Sequence, residues 1–105
     1  MSIVKGKMDT RPFDVMLPGM KMAKVWLNED GSLKEFEVKV PMLRNIWHVE
    51  VAQNGEITKA VDKVLGNTVD SKYITQIHNE IKEVLKGYDD CMINKAQAMR
   101  AMQKW

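Results

Sequence analysis

Residues 21–40 read KMAKVWLNEDGSLKEFEVKV. Two alternating runs flank Asp30-Gly31, and an Asp-Gly pair between alternating runs is the strongest short-range signal for a β-hairpin. With Asp30 and Gly31 as the two central turn residues, Val25 faces Phe36 and Ala23 faces Val38 on one side of the ladder. On the other side Lys24 faces Glu37, Trp26 faces Glu35 and Met22 faces Lys39. A slip of one residue sets Val25 against Glu35 and destroys the apolar face, so turn chemistry and side-chain pattern select the same register. The strands are predicted near 21–28 and 33–40.

Working outward, Pro41 ends the second strand. Residues 44–52 alternate again, with Trp47, Val49 and Val51 on one side and Ile46, His48 and Glu50 on the other. This reads as a third strand whose Trp47 belongs to the core and whose His48 lies on a solvated face. Upstream, residues 1–20 lack a period and form an N-terminal arm, with a short edge strand at 13–17 and a turn at Pro18-Gly19. Downstream, Asn54-Gly55 is a turn dipeptide. However, Ile57, Ala60, Val61, Val64 and Leu65 follow the helical spacing i, i+3, i+4, i+7, i+8, and Gly66 stands where a helix C-cap belongs. Five matches to the helical period outweigh one dipeptide, so the expectation for 56–65 is a short helix.

A helix is predicted over 71–87. Its apolar face is Ile74, Ile77, Ile81, Val84, Leu85 and Tyr88, and Gly87 closes it. His78 borders that face. Asp89-Asp90 then opens a last helix, where acids suit the positive end of the helix dipole. The predicted fold is therefore α+β: a small antiparallel sheet of about three strands in the N-terminal half, packed against two to three C-terminal helices. One domain over 1–105 divides into the arm (1–20), the hairpin with its third strand (21–52) and a helical part (56–105).

Composition narrows the function classes. The 105 residues carry a net charge of +2, too little to name a partner, but the charge is unevenly placed. Residues 1–24 hold five basic and two acidic groups, residues 25–91 eight basic and twelve acidic, and residues 92–105 three basic and no acidic. The ends are basic and the middle is acidic. No apolar run has the length of a signal peptide or a membrane span, which points to the cytoplasm with no membrane partner. The single cysteine, Cys91, offers no internal bridge and reads as a buried or inert thiol. His48 and His78 are too far apart in sequence for a local metal-ligand spacing. Asp89-Asp90 reads as a helix start, and Glu35 and Glu37 as cross-strand partners. No glycine-rich phosphate loop or nucleophile elbow is present. The expectation is no enzyme, no catalytic residue, no metal and no cofactor.

Two features stand above background. Nine methionines are present, three of them in the last helix at 92, 99 and 102, and methionine suits adaptable contact surfaces. That helix is also basic and amphipathic, ending at Trp105. Its Met92, Ala96 and Met99 take one stripe, while Ala98, Ala101, Met102 and Trp105 widen the apolar surface beyond what one buried face needs. The expected function is a non-enzymatic protein-binding module, an inhibitor or regulatory accessory protein, contacting another protein or a second copy of itself. The contact residues are Met92, Lys95, Met99, Arg100, Met102, Lys104 and Trp105, with Met22, Lys24 and Trp26 as a secondary surface. The alternative is a small nucleic-acid-binding protein using its basic termini. In compact, methionine-rich style the chain resembles small accessory proteins of phages, including inhibitors of host systems, with no motif behind the likeness.

Overall fold

The central hairpin forms in the predicted register. The structure, a computed structural model, describes residues 10–19, 21–40, 45–70 and 72–102. Strands β2 (Lys21–Leu27) and β3 (Leu33–Val40) pair antiparallel with Val25 opposite Phe36, Ala23 opposite Val38, Lys24 opposite Glu37 and Trp26 opposite Glu35. The tip differs from expectation. The Gly31 amide donates to the Asn28 carbonyl at 2.9 Å and the Asn28 amide to the Ser32 carbonyl at 2.7 Å, which encloses three loop residues rather than two. Gly31 takes the left-handed position (φ 90°) that this loop requires. A register shift between Trp26 and Leu27 restores the pairing predicted from the side chains.

The sheet is larger than the three strands predicted. β1 (Phe13–Leu17) pairs antiparallel with β2 and forms an edge, as the 13–17 segment suggested. β4 (Asn45–Val51) pairs with β3. β5 (Ile57–Asp62) pairs with β4, giving a five-stranded meander in sequence order. β5 overturns the helix expected over 56–65. The Asn54-Gly55 turn sets Val51 against Ile57 and Val49 against Ala60, so Ala60 is buried in the core while Val64 and Leu65 are exposed. Nor is Gly66 a helix cap: it closes the turn after β5, its amide donating to the Asp62 carbonyl at 2.7 Å. The sheet therefore extends into both the expected arm and the expected helical part.

Alternation sorts the strands into two faces. One carries the apolar row Phe13, Val25, Phe36, Val49 and Ala60, and beside it Val15, Ala23, Val38, Trp47 and Asp62. Helices α1 (Lys72–Leu85) and α2 (Asp90–Ala101) cover this face. α1 buries Ile74, Ile77, His78 and Ile81; full burial of an isoleucine contributes about 1.5–3 kcal/mol. Val84, Leu85 and Tyr88 complete that face half-buried. Trp47, expected in the core, is half-buried, with its ring edge-on to Tyr73. α2 inserts Ile93 and Gln97, and the Gln97 amide donates to the Arg11 carbonyl at 2.9 Å, which fastens α2 to the residues leading into β1.

Candidate functional site

α2 has two unlike sides. Ile93 and Gln97 turn inward, flanked by half-buried Ala96 and Arg100. The stripe expected to run through Met92, Ala96 and Met99 is thus divided: Ala96 leans on the core, while Met92 and Met99 stay outside. Spacing of three, four and three residues places Met92, Lys95, Met99 and Met102 on one outward stripe. The three methionines are exposed by 44, 58 and 81 %. Exposed Cys91 and Ala98 border them, so Lys95 is the single charge on this surface. At the head of the helix, the Asp89 carboxylate accepts the Met92 amide at 2.8 Å, a side-chain cap that secures the first turn.

Four of the seven expected contact residues therefore meet on one surface. Arg100 does not: its side chain is 9 % exposed and Nη1 lies 3.8 Å from Asp14 Oδ2, across the sheet edge. Burial raises the Asp14 carboxyl above its ordinary value, against the lowering charges of Arg100, Lys24 and Lys39. Lys104 and Trp105 lie outside the described residues.

The second expected surface is the sheet face that no helix covers. Met22 is exposed there, opposite Met16 on β1, which is exposed as well. Lys24 and Trp26 are half-buried because they belong to a charged cluster. Cross-strand pairing aligns Asp14, Lys24, Glu37, His48 and Val61 in one row. Glu37, only 3 % exposed, is the hub. Lys63 Nζ donates to it at 2.9 Å, Lys24 Nζ stands 3.5 Å away and His48 Nδ1 lies at 2.7 Å. Burial pushes the Glu37 carboxyl upward, yet the Lys63 and His48 hydrogen bonds and the Lys24 charge prevail and hold it below its ordinary value. His48 Nε2 reaches Glu35 at 3.0 Å, and the Trp26 ring tilts over the imidazole at 5.6 Å. Lys24 sits 5.2 Å above the Trp26 ring.

Both His48 ring nitrogens thus face carboxylates of β3. These contacts clamp β2, β3 and β4 together on the face that no helix covers. The sequence placed Lys24 opposite Glu37, but joining His48 to that pair required the β3–β4 register, and no turn dipeptide between those strands sets it. His78 is buried against Phe36, rings nearly parallel at 5.9 Å. Burial, and then the nearby Lys82 charge, hold its pKa below the ordinary value. Among the described residues no three histidine, cysteine or acidic side chains gather as a metal site, and no helix is long and apolar enough to cross a membrane. Compared with protein-family models, curated proteins and solved structures, the chain matches none.

Proposed function

We propose that this chain is a non-enzymatic protein-binding module, an inhibitor or regulatory accessory protein, whose contact surface is the Met92–Lys95–Met99–Met102 stripe of α2. One observation carries the reading: three large apolar side chains stand exposed along one stripe of a helix whose other side completes the core. Contiguous apolar surface on a folded chain marks contact sites, and methionine adapts its shape to what it meets. A cytoplasmic setting fits an exposed thiol at Cys91, which stays reduced there. The alternative, nucleic-acid binding, has less behind it. Lys24 and Lys63 lean on Glu37 and Arg100 on Asp14, so these cations are already partly neutralised.

The test is a triple variant, Met92→Ser, Met99→Ser and Met102→Ser. Exposed positions contribute little to stability, so its melting temperature should stay within a few degrees of wild type while protein association is lost. A triple variant that unfolds, or that stays folded and keeps every association, overturns the reading. Binding to DNA or RNA that weakens steeply with salt would favour the alternative.

A further inference from the structure

We infer that the occupant of the α2 stripe is a second copy of this chain, with its α2 packed antiparallel; this rests on the contact surface proposed above. The spacing of the stripe is that of a coiled-coil seam, in which antiparallel helices pair the first position of one heptad with the fourth of the other. The stripe reads the same from both ends. Laid antiparallel on its copy, Met92 meets Met102, Lys95 meets Met99, Met99 meets Lys95 and Met102 meets Met92. Every layer contains a methionine, and the aliphatic stem of Lys95 can lie along Met99 with its ammonium in water. Ala98 and Cys91 are small and exposed beside the stripe, so two backbones can approach closely.

Charge selects the direction. α2 begins with Asp89 and Asp90, and the sequence places Lys104 just after Met102 with no acid beyond residue 90. Antiparallel pairing keeps the two acidic starts and the two Lys95 ammoniums apart and opposes the two helix dipoles favourably. Parallel pairing would set Lys95 on Lys95 and the acids on the acids. The surface also leaves room for a partner, because it points away from the side that holds Ile93 and Gln97. A twelve-residue helix supplies a small interface, below the roughly 1,200 Å² of stable complexes, so the dimer should form and dissociate readily.

Sedimentation of the full chain from about 1 µM to about 1 mM should show a monomer–dimer equilibrium, and Met99→Lys should weaken it at least about tenfold by setting a second ammonium against Lys95 of the other copy. The direction is read by cross-linking in a Cys91→Ser background. In an antiparallel pair the two copies of residue 92 are separated by roughly 15 Å along the axis. Met92→Cys protein alone and Met102→Cys protein alone should therefore stay unlinked, while their mixture oxidises to a disulfide heterodimer. Self-linking of Met92→Cys overturns the antiparallel arrangement. A chain that is monomeric up to about 1 mM and gives no link in the mixture overturns the second copy as occupant. The contact surface itself survives that outcome if the triple serine variant still loses association with an unrelated protein, and falls if it does not.

Discussion

The tip of the β2–β3 hairpin and that of the β4–β5 hairpin are built alike. At 28–32 the Gly31 amide donates to Asn28; at 52–56 the Gly55 amide donates to Ala52 at 2.8 Å, and the Ala52 amide to Glu56 at 2.8 Å. Gly31 and Gly55 take the same left-handed conformation, with φ 90° and 93°. In each tip a short polar side chain, Asp30 or Asn54, accepts the amide two residues on, and in each hairpin a register shift lies in the strand just before the tip. What differs is the material behind the tip. The first hairpin puts apolar side chains into the core from both strands: Ala23, Val25 and Leu27 from β2, Phe36 and Val38 from β3. The second puts Val49 and Val51 there from β4, but its outer strand buries only Ala60 and Asp62. Asp62 stands in for a hydrophobic anchor by gathering hydrogen bonds: Oδ1 accepts the Val64 and Leu65 amides at 2.9 and 2.8 Å, and Oδ2 accepts from Asn45 at 2.7 Å and Trp47 at 3.2 Å. One turn thus serves a hairpin with two apolar strands and one whose outer strand is held by a carboxylate, and the turn alone does not say which.

The largest effect should come from emptying the apolar hairpin. Phe36→Ala removes a fully buried ring and should cost about 3–5 kcal/mol in urea denaturation, a large share of a typical total of about 5–15 kcal/mol. A cost below about 1 kcal/mol would show that the first hairpin does not rest on its core row.

Next in size is the polar anchor. Asp62→Ala strands four donors, two of them backbone amides, and should release β5 before the rest of the sheet. Hydrogen exchange should then show protection lost over 57–69 while the β2–β3 amides keep theirs; uniform loss would mean the two hairpins open as one unit. A pH arm sharpens this. Burial pushes the Asp62 carboxyl upward, but the Leu65, Val64, Trp47 and Asn45 donors outweigh it and hold the group below its ordinary 3.8. A carboxyl lowered by folding stabilises the native state at pH above its unfolded value, and that contribution is lost as pH falls through the folded value. Wild type should therefore lose stability below about pH 4 more steeply than Asp62→Asn.

The likeness of the tips is tested by Gly31→Ala and Gly55→Ala. Each forces a side chain into the left-handed region, at about 1–2 kcal/mol, and the two costs should agree. Unequal costs would show that one tip carries strain the other lacks. The smallest effect belongs to Gln53→Ala, which removes the exposed 2.7 Å bond joining the tips through Asp30. Its melting temperature should stay within about two degrees of wild type.

The amino-acid sequence by itself determined the elements whose signal is local. The β2–β3 register follows from alternation on both sides of Asp30-Gly31, and α1 from a sustained helical period. Each repeats over enough residues to exclude its rivals. Tertiary structure decided the rest. Ile57, Ala60, Val61, Val64 and Leu65 fit a helix as well as a strand until Val49 and Val51 of β4 stand alongside and supply the ladder partners. The Glu37 cluster draws on β2, β3, β4 and the turn after β5, positions that no periodicity links. In α2 the sequence offers more apolar residues than one core-facing side can hold. Docking against β1 chose Ile93 and Gln97 for the interior, turned Arg100 to Asp14 and left the methionines outside, because burial is settled by the shape and hydrogen-bonding needs of the surface a helix lands on.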